Sequence, residues 1–209
     1  MVRAILAGAK TQTRRVCKPA ANLSAVVACQ DPATYREGQR PPYLSPGWFG
    51  DEEGNVQFFC PYGSPGDQLW VRETFAKIDG QTQPWIETDY RATYTHGDRM
   101  GDTLGIKKRW TPGIHMPRAA SRITLAVESV RVERLQDITH ADAEAEGIAY
   151  SERFGGYCIE MAEHFNSHDP RESYWSLWEA INGAGSVEAN PWVWVVAFKR
   201  CQDLKANPI

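Results

Sequence analysis

Gly8, Lys10, Thr13, Arg14 and Arg15 fall within one octapeptide, "GAKTQTRR", just after the apolar turn "VRAIL". These residue types suit anion binding or acyl chemistry. On an extended chain Thr11, Thr13 and Arg15 share a face, and Lys10 sits at the turn before them. A lysine that loses solvent beside an arginine has its pKa lowered. It can then take a proton from a hydroxyl such as that of Thr13. Arg15 is placed to hold a phosphate or a carbonyl oxygen. An exposed strand end with solvated charges accounts for the same residues, and on chemistry alone it is the commoner arrangement.

A second cluster is the acidic stretch "HADAEAEG" (140–147). Asp142 and Glu146 stand four apart and share a helix face. Glu146 falls in the last turn, where the helix dipole disfavours a carboxylate. A protonated carboxyl there suits general acid or acid/base work. A solvated acidic face is the bland alternative. In "PGDQLWVRE", Arg72 and Glu73 form either a pair at a barrel mouth or, more commonly, a surface salt bridge.

The elements that must position these groups follow from pattern. Val2, Ile5 and Leu6 predict a short helix over 1–8 with Gly8 as its stop. "KTQTRRV" predicts a loop running into a strand. Residues 18–66 and 77–117 read as two long irregular insertions, with hairpins near Asn55–Cys60 and at "DYRATYTHGD". "DQLWVRETF" predicts one strand over 67–75. "SRITLAVESVRVERL" predicts one long strand, or two with a bend near Ser129. Thr139 and Asp142 form a capping-box pattern at the start of a helix over 137–148, closed by Gly147. "SYWSLWEAIN" predicts an amphipathic helix with Tyr174, Leu177, Trp178 and Ile181 on one face. "PWVWVVAFKRC" predicts a strand buried on both faces. Together these give a mainly β fold with flanking helices (α+β), a small antiparallel barrel or strongly curved sheet, in a single domain over 1–209.

Composition narrows the function classes. The chain has 209 residues and a net charge of −3, so nucleic acid would have to be met by a local basic patch. No apolar run reaches membrane-spanning length, no signal peptide is expected, and no membrane partner is expected. Five cysteines, an odd number with no C-x-x-C pair, argue against a disulfide framework or zinc and fit a cytoplasmic setting. Eight tryptophans are read mostly as core.

The G-x-K-x-x-T-x-R at 8–15 resembles the signature of ASCH domains, a branch of the PUA-like β-barrel superfamily. "PGDQLWVRE" looks like that family's Gly-Asp strand, "DITHADAEAEGI" like its short helix, and "PWVWVVAFKRC" like its closing strand. The likeness covers about half the chain. Its wording is most similar to phage- and prophage-encoded members.

The resemblance implies a PUA-like barrel that binds RNA or a modified nucleoside in a cleft. It is similar to N(4)-acetylcytidine amidohydrolases, whose lysine, threonine and glutamate match Lys10, Thr13 and Glu146; the signature arginine matches Arg15. By that pattern Thr13 attacks the acetyl carbonyl, Lys10 takes its proton and Glu146 protonates the leaving amine. Gly8, Arg14, Arg15, Arg72 and Glu73 are the expected binding residues, and no metal or other cofactor is expected. Two alternatives use the same residues. One is an RNA-binding module in which Lys10, Arg14, Arg15 and Arg72 meet phosphates and Trp48 or Trp85 stacks on bases. The other is a ribonuclease acting on single-stranded RNA.

Overall fold

A computed structural model of the chain describes residues 1–28, 48–51, 56–77, 88–94, 110–159 and 167–201. Trp85 and most of the expected second insertion lie outside the described residues. In chain order the elements are α1 (Val2–Leu6), β1 (Gln12–Val16), β2 (Val27–Ala28), β3 (Trp48–Gly50), β4 (Gln57–Phe59), β5 (Gln68–Trp70), β6 (Phe75–Lys77), β7 (Thr88–Tyr90), β8 (Thr124–Arg134), α2 (His140–Ala145), β9 (Ile148–Ser151), β10 (Gly156–Ile159), α3 (Pro170–Asn182) and β11 (Trp192–Arg200). The fold is mainly β with few helices. Its strands form one sheet of order β1-β11-β8-β5 and three small sheets, β10-β9, β2-β3-β4 and β6-β7. No described helix is long and apolar enough to cross a membrane.

The chain divides into two compact units, one built of Arg3–Gln68 with Ala126–Lys199 and the other chiefly of Leu69–Leu125. In the first, β1 runs antiparallel to β11, with Thr13 opposite Val196 and Arg15 opposite Trp194. β11 is buried on both faces, as its continuous apolar run predicts. Val193 and Val195 pack with Leu135, Ile138, Ala143, Ile148, Tyr174 and Trp178. Trp194 instead meets Phe49 and Phe58 edge-on, at 5.0 and 5.7 Å between ring centres.

The hairpin expected near Asn55–Cys60 is β3–β4, with Phe49 opposite Phe58. The long strand β8 is continuous through Ser129. α2 begins at Thr139, whose side chain accepts from the Asp142 N–H while Asp142 reaches back, the capping box expected. α3 starts at Pro170, three residues before the expected start, with Asp169 as its cap. Tyr174 and Trp178 on its apolar face are buried, but Ile181 is exposed. The β9–β10 hairpin, unread in the sequence, packs under α3, where the Ser173 hydroxyl donates to the Tyr157 carbonyl at 2.7 Å.

In the second unit, the strand expected over 67–75 is broken. β5 ends at Trp70 and the chain resumes as β6, paired with β7. Between them the Glu73 N–H donates to the Met116 sulfur at 3.3 Å, so that backbone group is not used in a ladder. Of the hairpin expected at "DYRATYTHGD", the first residues form β7, which pairs back to β6 and is followed by a 3-10 turn at Arg91–Thr93, while residues 95–98 lie outside the described residues.

Candidate active site

The site lies in the first unit, where β1, α2 and α3 meet. α1 ends at Gly8, whose positive φ of 73° turns the chain back toward β1. The Lys10 N–H then donates to the Ala4 carbonyl at 3.1 Å, and the Thr11 N–H to Ala145 at the end of α2 at 2.9 Å. Gly147 follows α2 with φ 97°, and a Cβ there would meet the Lys10 Cβ at 3.4 Å and the Ala4 Cβ at 3.3 Å. A glycine at this position therefore does two things: it closes the helix and lets the lysine stem pass.

Lys10 is buried, and its Nζ donates to Glu146 Oε2 at 2.5 Å and to the Glu146 carbonyl at 2.7 Å. Its pKa is lowered. Burial is the largest cause, and Arg15 and Arg14 add to it; the Glu146 carboxylate opposes without winning. The Glu146 Oε1 accepts from Arg14 at 3.4 Å. Two cations, Lys10 and Arg14, thus face this carboxyl.

Arg14 is fully buried. Its Nε and one terminal nitrogen donate to Glu133 at 3.2 and 2.6 Å, and the latter lies 3.4 Å from Asp142. Its guanidinium also stands 5.8 Å over the Tyr174 ring. Arg131 bridges Glu133 and Asp142 at 2.8 Å each, and Gln12 donates to Asp142 at 3.0 Å. Three cations (Lys10, Arg14, Arg131) thus balance three carboxylates (Glu133, Asp142, Glu146). Burial alone would raise the Asp142 pKa. Hydrogen bonds from Gln12 and Thr139 and the Arg131 charge outweigh it and hold this carboxyl well below the usual range.

Above the ion pair is a small pocket of about 90 Å³ walled by Thr13, Arg15, Val16, Ile159, Leu177 and Trp178, with Lys10 and Glu146 also on its surface. That is well under the ~300–1,000 Å³ of common small-molecule sites, so it admits one small group rather than a whole nucleotide. Thr13 is half-buried and lines this pocket. Arg15 is exposed at the rim.

The structure therefore brings Lys10, Thr13, Arg14, Arg15 and Glu146 together. Gly8 shapes the turn and is not in the wall. Arg72 and Glu73 belong to the second unit, and neither expected pairing between them forms. Glu73 is buried and accepts from Arg122 at 2.9 and 3.0 Å, while Arg72 stacks over Trp70 at 4.7 Å. Sequence reasoning missed Gln12, Arg131, Glu133 and Tyr174. The signal was present as period-two pairs, Gln12/Arg14 and Arg131/Glu133, each on one strand face.

Comparison with protein-family models, with curated proteins and with solved structures gives no match.

Proposed function

We propose that this chain is an ASCH-type, PUA-like hydrolase that cleaves an amide on a modified pyrimidine nucleoside, with N(4)-acetylcytidine as the type substrate, in a cytoplasmic setting. The observation that carries the reading is the buried Lys10–Glu146 pair on one small pocket that Thr13 also lines. The supporting topology is the signature strand β1 paired antiparallel with the closing strand β11.

In this reading the acyl group enters the pocket and Thr13 Oγ1 attacks its carbonyl carbon. Lys10, disposed by burial to lose its proton, accepts the one released by Thr13. Glu146, hydrogen-bonded to the same Nζ, takes that proton from Lys10 and passes it to the departing amine. Arg15 at the rim stabilises the oxyanion or holds the substrate. Arg14 is engaged with three carboxylates, so its part is to hold Glu146 in place. Water then releases the acid from Thr13.

The covalent step has a direct test. Protein quenched during turnover of N(4)-acetylcytidine should carry one acetyl group on Thr13 by peptide mass spectrometry. Full turnover by a Thr13→Ala variant would remove the covalent step.

A further inference from the structure

The first unit holds a second concavity, an open groove of about 580 Å³. Val16, Lys18, Trp48, Gln57, Phe59 and Tyr62 line it, and Val16 also walls the small pocket. Groove and pocket thus share Val16, at the end of the edge strand β1. Its floor is the buried Trp194.

Core packing does not account for its surface. Phe59 is 61% exposed and Val16 38% exposed. The Trp48 and Phe59 rings pair at 5.6 Å, tilted by 57°. The result is a set of aromatic faces open to solvent, with the exposed Lys18 beside them. Among the described residues, no acidic side chain lines the groove. Flat apolar faces flanked by cations and an amide suit a base joined to a phosphate.

The size of the first pocket points the same way. It takes only a small group, so whatever carries that group must continue outside it, and the groove sharing Val16 is the adjoining surface. We propose that this groove is a second nucleotide subsite, in which the base next to the modified cytidine of a single-stranded RNA stacks on Phe59 and Trp48 while Lys18 meets the intervening phosphate. The inference rests on reading the Lys10–Glu146 pocket as a ribonucleoside site. It makes the substrate a strand and not a free nucleoside.

The test is fluorescence anisotropy with a labelled hexacytidine RNA across a salt series, run on the full chain and on Phe59→Ala and Lys18→Gln variants, each checked for unchanged melting. Wild-type protein should bind with salt-dependent affinity. Phe59→Ala should weaken binding about tenfold, as loss of one stacking face does. Lys18→Gln should make the salt slope shallower by about one. No binding by wild-type protein, or equal binding by Phe59→Ala, overturns the subsite. Turnover of free N(4)-acetylcytidine, measured in parallel, separates the two proposals. Turnover without Phe59-dependent RNA binding overturns the groove alone. Phe59-dependent binding without turnover overturns the hydrolase reading alone.

Discussion

The Nζ of Lys10 lies 2.5 Å from Glu146 Oε2 and 2.7 Å from the carbonyl oxygen of the same residue, with each side chain 5% exposed. One residue thus offers both its side chain and its main chain to a single ammonium. Burial lowers the lysine pKa and the carboxylate raises it, and burial prevails. A proton on this pair is poised to move, which is what an acid/base couple beside a hydroxyl requires.

Removing the carboxylate should unbalance the pair in a pH-dependent way. In Glu146→Gln the buried ammonium loses its anion, which costs about 3–5 kcal/mol while it stays charged. The Lys10 pKa is already lowered, and it falls further without Glu146. The unfolded chain then binds the extra proton, so stability rises with pH toward the ordinary lysine value. Urea denaturation of wild-type and variant protein should show the largest deficit at low pH and a shrinking one as pH rises. A deficit independent of pH would contradict this.

Arg14 should behave as a structural cation. Arg14→Ala leaves Glu133, Asp142 and Glu146 facing one another without their shared guanidinium, at a cost of about 3–5 kcal/mol. Arg14→Lys should recover only part of that, because an ammonium cannot reproduce the two-nitrogen grip on Glu133. Equal stability of all three proteins in urea would remove Arg14 from this role.

Asp142 ties the site to acid stability. Its folded pKa is depressed, so its contribution is present above the unfolded value of about 3.9 and fades as pH falls toward the folded one. The melting temperature of Asp142→Asn should lie below that of wild type near neutrality. The gap should close in acid. A gap that widens on acidification would reverse the sign and refute the assignment.

The cap of α2 should matter beyond its own energy. Thr139→Ala removes the bond from the Asp142 N–H and should cost about 1 kcal/mol. It also frees Asp142, whose Oδ2 accepts from the Thr139 hydroxyl at 2.9 Å. Hydrogen exchange should rise through 140–146 and leave β11 protected. Unchanged exchange in α2 would argue against the coupling.

Parts of this arrangement were legible in the sequence for definite reasons. The run in β11 had no polar face, so burial on both sides followed. The Thr139/Asp142 box marked α2 because a cap has its own spacing. Residue pattern alone could single out Thr13 and Glu146 but not bring them together, since 133 positions separate them in the printed sequence (146 − 13); only the family resemblance paired them. Arg131 and Glu133 carried no signal of a site, because alternating charges on a strand usually meet water; here that face meets Arg14 and Asp142. The break after Trp70 was hidden for a similar reason. Strand propensity continues through "VRETF", and only the distant Met116 and Arg122 draw Glu73 out of a ladder.

The central claim is that the Lys10–Glu146 pocket hydrolyses an amide on a modified nucleoside. Its most direct measurement is incubation of the purified protein with N(4)-acetylcytidine, following cytidine by chromatography, with Lys10→Ala alongside. The account predicts cytidine release by wild-type protein that falls by at least ~100-fold in the variant. No cytidine from wild-type protein, or equal release from both, would contradict it.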